Sequence, residues 1–438
     1  MSDYGFPFHS IEELYRFGAD QPFPLPAPGD AAALSAPVRG AGFTLPNALA
    51  IQPMEGCDAD ERGAPTELTY RRYRRYGGSG AGLIWAEAIA VSADSRANPR
   101  QLMITPDNVA AFSDLIGQTR AAARDAGFPA PVIIAQLTHS GRFSKPGGQL
   151  APLRGCANAT MDAHQRIEGD RGILTDEQLD ALPERFAAAT ALCREAGFDG
   201  VDVKACHLYL LSELLGAFDR AGRYGGEFDN RVRLLLDCAD AASAQLRGGV
   251  LAARVNLYDG SAARWGAAED LSLSLDEPLR LVAALAGRGV SLINVTMGTP
   301  YFNPHVNRPY ARGGYQPPEH PLAGVGRLLS GCARAQRAAP DAVCVATGFS
   351  YLRHLAPAVA AGLVASGGCR SVGFGRQALA YPDFAADILE KGAMAERKSC
   401  LTCGLCTVIM RAGGRVGCPV RDSALYAGEL RRAQGGRA

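Results

Sequence analysis

Near the end of the chain, Cys400, Cys403, Cys406 and Cys418 stand as C-x2-C-x2-C-x11-C. Cysteines at two-residue spacing bring their sulfurs close enough to share a metal, and two kinds of site compete for such a pattern. Zinc ribbons use two separated C-x2-C pairs. Three cysteines at this spacing, with a fourth followed by Pro419, sit closer to the bacterial iron–sulfur run, although there the fourth follows after three residues rather than eleven. On spacing alone both metals stay open.

A second set of polar residues follows apolar runs. Gln136 ends one run, and its amide needs a partner offering both donors and acceptors. His139 and Arg142 come next, with a loop histidine and a surface arginine as the plain alternative. Lys204, His207 and Tyr209 leave another run together. A cation, an imidazole and a phenol at one place make a proton donor and an oxyanion site; a snorkelling lysine and a packed tyrosine are the alternative. Arg254 lies inside "AARVN", where an arginine calls for an anion. Gly348 and Gly375, with Arg376, give glycine-rich backbone next to a cation, which suits a phosphate. His305 lies in a loop, where an exposed or structural role is the alternative.

Eight short apolar runs must position these groups: 48–53, 82–88, 131–137, 199–203, 249–255, 290–296, 342–348 and 370–375. Between them lie Ala/Leu/Arg-rich stretches with helical spacing, among them 107–127, 176–197 and 278–289, the second closing on an Ala-Gly stop. Eight alternations of strand and helix predict an α/β fold, a (β/α)8 TIM barrel. Residues 1–45 are read as an N-terminal extension, 46–390 as the barrel, and 391–438 as a small cysteine-rich module. Long segments at 138–172 and 297–321 follow strand ends, where barrels build their sites.

The 438 residues are 47% hydrophobic and carry 45 basic against 44 acidic side chains, a net charge of +1, so no basic excess points to nucleic acid or an anionic membrane. No signal-like segment or uninterrupted apolar span is evident, so a soluble, cytoplasmic protein is expected. The other eight cysteines are expected to be free and buried. No feature fixes an oligomeric state; a homo-oligomer is compatible.

In "QPMEG", "GAGLIWAEAIAV", "QLTHSGR", "FDGVDVKACHLYLLSELL", "RYGGEFDNRVR", "VATG" and "VGFGRQALAYPDF", the chain resembles the Old Yellow Enzyme family of flavoproteins over residues 40–425. It looks most like the branch containing 2,4-dienoyl-CoA reductase and trimethylamine dehydrogenase. The resemblance implies an FMN-binding barrel. Pro53 and Met54 would contact the isoalloxazine, Glu87 would lie in the segment lining it, Gln136 would bond its pyrimidine edge, and Arg254 would stand by N1 and C2=O. Gly348, Phe349, Gly375 and Arg376 would bind the phosphate. Tyr209 matches the proton-donating tyrosine of alkene-reducing members, and His207 the second position of the family's carbonyl-binding pair. Lys204 departs from the histidine at the first position; an ammonium would bind a carboxylate or oxyanion more strongly than a plain enone carbonyl. His305 loosely matches a second catalytic histidine of the dienoyl reductases.

The branch carries C-x2-C-x3-C-x11-C at the tail, one residue longer in the middle gap than this chain, so the resemblance implies a [4Fe–4S] cluster. The expected activity is hydride transfer from FMN to an activated C=C bond of a small unsaturated substrate, one bearing a carboxylate included. No G-x-G-x-x-G follows the cysteines, so the reductant is expected to be either NAD(P)H at the FMN or a ferredoxin- or flavodoxin-like electron partner. The alternative within the family is oxidation of an amine or a saturated carbonyl compound. The alternative outside it is a non-catalytic barrel with a zinc-bound docking tail.

Overall fold

The computed structural model describes residues 5–435. A short antiparallel hairpin, β1 (Val38–Gly40) and β2 (Phe43–Leu45), precedes eight parallel strands: β3 (Leu49–Ile51), β4 (Leu83–Ala90), β5 (Val132–Thr138), β6 (Gly200–Val203), β7 (Val250–Asn256), β8 (Leu292–Thr296), β9 (Val343–Ala346) and β10 (Ser371–Phe374). These eight pair in chain order and close as β10 meets β3, with Val372 opposite Leu49 and Phe374 opposite Ile51. Each predicted run is a barrel strand. The reason is legible in their composition: β4 and β7 are buried at every position, as parallel strands covered on both faces must be.

The helical expectations need one correction. Residues 176–197 form two helices, Asp176–Asp180 and Leu182–Glu195. Pro183 in the first turn of the second helix offers no N–H and crowds the preceding turn, so the first helix ends before it. The Ala-Gly stop holds: Gly197 has φ +87°, and Phe198 N–H donates back to Cys193 O at 3.1 Å, closing a Schellman turn. No helix among the described residues is long and apolar enough to cross a membrane.

Two attachments shape the mouth formed by the strand C-termini. Arg142, for which a surface position was the plain alternative, is fully buried. Its Nε donates to Glu213 Oε1 at 2.7 Å and its Nη1 to Asp162 Oδ1 at 3.0 Å, while Gly155 N–H donates to Glu213 Oε2 at 2.8 Å. This pairing locks the long segment after β5 to the helix Leu210–Leu215, which begins immediately after Tyr209. The C-terminal tail folds back over the same mouth. Asp422 accepts from Arg71 at 2.8 and 3.1 Å and from Arg75 at 2.8 Å, Val416 N–H donates to Gly56 O at 2.7 Å, and Cys400 N–H donates to Gln377 Oε1 at 3.0 Å.

Removing Glu213 would leave the buried Arg142 guanidinium without its closest anion. Glu213→Ala is expected to lower stability by roughly 3–5 kcal/mol, read as a drop in the urea midpoint at unchanged slope.

Candidate active site

A cavity with an empty volume of about 1050 Å³ opens at the strand C-termini. Each barrel segment brings a few side chains: Gln52, Pro53, Met54 and Glu55 after β3, Gln136 from β5, Lys204, His207 and Tyr209 after β6, and Arg254 from β7. Pro300, Tyr301, Asn307 and Arg308 follow β8, Thr347, Gly348 and Ser350 follow β9, and Gly375 and Arg376 follow β10. Cys406, Thr407, Met410 and Val416 of the tail complete the wall.

Three residues expected at the site lie outside this lining. Glu87 is buried in an ion pair with Arg72 at 2.5 Å and accepts from Gly56 N–H at 2.7 Å, so it braces the segment after β3 from behind. Phe349 packs against Phe374 in the core, ring centroids 5.4 Å apart. His305 bonds Tyr315 through Nδ1 and stands 3.8 Å from Glu319, away from the cavity.

The floor is organised around Asp202, fully buried in β6. It accepts from Gln136 Nε2 at 2.6 Å, Trp85 Nε1 at 2.8 Å and Arg254 N–H at 2.6 Å. Burial raises its carboxyl above the usual range, against the pull of these donors. The partner sought for the Gln136 amide is this carboxylate. Arg254 Nε and Gln52 Nε2, by contrast, are buried with no hydrogen-bond partner among the described residues.

The wall after β6 is conformationally strained. His207 and Leu208 hold φ of +67° and +58°, a region that side chains with a Cβ occupy at a cost. Thr299 Oγ1 donates to His207 O at 3.1 Å, and the Asn307 amide nitrogen stands 3.1 Å from His207 Nε2. Burial and the nearby Arg254 cation hold His207 well below its ordinary pKa. The ring is therefore neutral, with Nε2 accepting from Asn307 and its proton on Nδ1.

Lys204 Nζ lies 3.9 Å from the centroid of the Tyr209 ring, a cation–π contact, and burial lowers its pKa. The Tyr209 hydroxyl is 2.8 Å from that of Tyr301 and 3.5 Å from Glu55 Oε1. Tyr301 stacks on Phe143, centroids 3.9 Å apart at 20°.

At the opposite end Gly348 has φ +113°, and a Cβ on Gly375 would press on Met54 Sδ at 3.1 Å, so both positions call for glycine, and both line the cavity. Arg376 donates to Pro309 O at 2.7 Å, and burial with the neighbouring Arg376 cation lowers the Arg308 guanidinium to about 10.

The four tail cysteines all line a second cavity, which shares Cys406 and Arg376 with the first. Thr402 N–H points at Cys400 Sγ and Arg421 N–H at Cys418 Sγ, both at 3.4 Å. Burial holds the Cys400 thiol up at about 12. Among the described residues no group of three or more His, Cys, Asp or Glu side chains is arranged to hold a metal ion. The expected iron–sulfur module is therefore not shown: the four cysteines share a cavity but do not form a ligand set among the described residues. The other eight cysteines are free and buried.

Glu55, Tyr301, Asn307 and Arg308 were not singled out from the sequence. Glu55 sits in the "QPMEG" stretch and the other three in the long segment after β8, but nothing in their spacing tells which side chains of an irregular loop turn inward.

A barrel with buried donors at its mouth that have no partner among the described residues, and glycine backbone beside an arginine across from them, suits a phosphate-bearing cofactor. The NADH:flavin oxidoreductase / NADH oxidase family model matches residues 34–348. The chain belongs to that family, the Old Yellow Enzyme family, and is an FMN-dependent oxidoreductase using NAD(P)H; this sets aside the non-catalytic reading. It is 28% identical over 264 residues to an NADPH dehydrogenase of Bacillus pumilus (strain SAFR-032), covering 59% of this chain and 71% of that one. Its fold is similar to that of a 2-naphthoyl-CoA reductase in complex with 2-naphthoyl-CoA (TM-score 0.72, 15% identity), covering 91% of this chain and 58% of that chain. It is also similar to that of histamine dehydrogenase from Rhizobium sp. 4-9 (TM-score 0.67, 17% identity, 89% of this chain and 52% of that chain). The present chain thus spans little more than half of either structure's chain. The donor set fits FMN: the free Arg254 and Gln52 groups suit ring carbonyls, and the Gly348–Arg376 end suits a phosphate.

The buried histidine just outside the lining yields a stability prediction. Burial lowers His139 from 6.5 to about 4. The unfolded chain then binds the extra proton between those values, so stability is full above about pH 6.5 and falls as the pH drops towards 4. The loss is roughly 3 kcal/mol for this group. Urea midpoints measured across that range should show the slope, and His139→Gln should flatten it.

Proposed function

We propose that the protein reduces an activated C=C bond, with Tyr209 giving the proton. The observation that carries this is the placement of Tyr209, Lys204 and neutral His207 on one wall of the cavity whose floor holds Arg254. When bound, FMN supplies the hydride. Pro53, Met54 and Gln136 would hold the isoalloxazine, Arg254 would favour its anionic reduced form, and Gly348, Gly375 and Arg376 would take the phosphate. His207 would donate from Nδ1 to the substrate's acceptor group. Lys204 adds a second donor, which suits an unsaturated acid. Burial lowers its pKa, and a bound carboxylate would favour its charged form.

The tail cavity would hold a [4Fe–4S] cluster on Cys400, Cys403, Cys406 and Cys418. Backbone N–H groups aimed at two of the sulfurs are what a cluster's thiolates need. Cys406 lines both cavities, so a cluster held there would stand beside the flavin site and supply one-electron chemistry to it, and the partly exposed Cys403 would face a ferredoxin- or flavodoxin-like carrier. The likeness to a histamine dehydrogenase supports the second reading, oxidation of an amine with electrons leaving through the cluster.

The test is anaerobic. Reduced holoenzyme should be reoxidised by an α,β-unsaturated acid or ketone, and Tyr209→Phe should slow this about 100-fold with flavin content unchanged. Reoxidation by no activated alkene, together with bleaching of the oxidised enzyme by an amine, selects the second reading. Purified protein should carry iron and sulfide in roughly fourfold excess over flavin, and Cys403→Ser should lose both; zinc in their place overturns the cluster assignment.

A further inference from the structure

We infer that Glu55 is the proton store behind Tyr209, refilling the phenol after each turnover through the joined hydroxyls of Tyr209 and Tyr301. This rests on the alkene-reducing reading. Glu55 Oε1 lies 3.5 Å from the Tyr209 hydroxyl, which in turn lies 2.8 Å from the Tyr301 hydroxyl. The three groups come from three separate segments, after β3, β6 and β8, and meet at one point of the cavity wall. Tyr209 is buried, whereas Glu55 and Tyr301 are only half-buried, so the path runs from the interior towards solvent. Tyr301 cannot swing away easily, because its ring is stacked on Phe143.

The chemistry requires such a store. As hydride reaches one alkene carbon with both electrons from the reduced flavin, the Tyr209 O–H bond breaks and its proton forms the C–H bond at the other carbon. A phenolate is left in a buried site. Burial opposes it and holds the phenol well above its ordinary pKa, and an ionised Glu55 would oppose it further. A protonated Glu55 gives its proton to that phenolate, directly or by way of the Tyr301 hydroxyl, and takes another from water at the open side. Burial raises the Glu55 carboxyl, which favours the protonated form. The groups facing Glu55 are Lys204 and Tyr209 from the segment after β6, Tyr301 from that after β8, and Cys57 from its own segment; the Lys204 cation and the hydrogen bond donated by Tyr209 oppose the proton, and burial outweighs both. No ion pair within 4.0 Å joins Lys204 to Glu55 among the described residues. Glu55 acts through Tyr209 and is a positioning residue for its proton.

The experiment follows anaerobic multiple turnover of the holoenzyme with NAD(P)H and an unsaturated acid, across pH, so that the phenol must be refilled in every cycle. Wild-type turnover should slow as pH rises through the Glu55 pKa, because only the protonated carboxyl refills the phenol. Glu55→Gln should slow it at least tenfold and abolish that limb, and Glu55→Asp should keep the limb. Equal rates and profiles in Glu55→Gln and wild type overturn the inference. So does a Glu55→Gln enzyme that is slower at every pH with the wild-type profile, which marks a structural role. If wild type reacts with no alkene, the alkene-reducing reading fails by itself. Near-ultraviolet titration of tyrosine ionisation in oxidised holoenzyme then decides the coupling. Glu55→Gln should lower the apparent pKa of the tyrosine pair, and an unmoved titration overturns the inference.

Discussion

One carboxylate, Asp202, joins four neighbouring strands at the mouth of the barrel. Trp85 of β4, Gln136 of β5 and the backbone N–H of Arg254 in β7 all donate to it from within 2.8 Å. An acid buried without partners would protonate and loosen its surroundings; three donors satisfy this one. The consequence lies on the other side. With Asp202 occupied by Gln136, Trp85 and a main-chain N–H, the Arg254 side chain keeps its Nε free beneath the cavity. The floor thus meets a ligand with a buried cation whose Nε has no hydrogen-bond partner among the described residues.

Above the floor, the same logic of buried polar groups fixes the chemistry. His207 is held in a left-handed backbone conformation and kept neutral, so it offers one defined N–H rather than a switchable charge. Arg142 and Glu213 bind the segments on either side of Tyr209 and hold the phenol where it stands. The tail closes the opposite side, and its attachment through Asp422 and Val416 places Cys406 against both cavities.

The strands were legible because parallel barrel strands are buried on both faces and read as unbroken apolar runs, as "PVIIAQL" does. Gln136, Lys204, His207, Tyr209 and Arg254 were legible because polar residues at the ends of such runs have little alternative to the barrel mouth. Glu87, which the resemblance implied beside the flavin, lies outside the cavity lining: β4 shifts register between Trp85 and Ala88, and the carboxylate meets Arg72 behind the barrel wall. Arg142 reads as a loop cation, and only the fold supplies the buried Glu213 that holds it.

The sequence by itself determined the barrel, its strand order and the residue types that reach its mouth, because burial on both faces and helix stops are encoded within a few neighbouring residues. The tertiary structure decided the partners. Tyr301, Asn307 and Arg308 enter the site from an irregular loop without period, and Glu55 meets Tyr209 across 154 positions of chain. Such pairings depend on how loops from different strands pack against one another at a shared rim, and no local spacing carries that information.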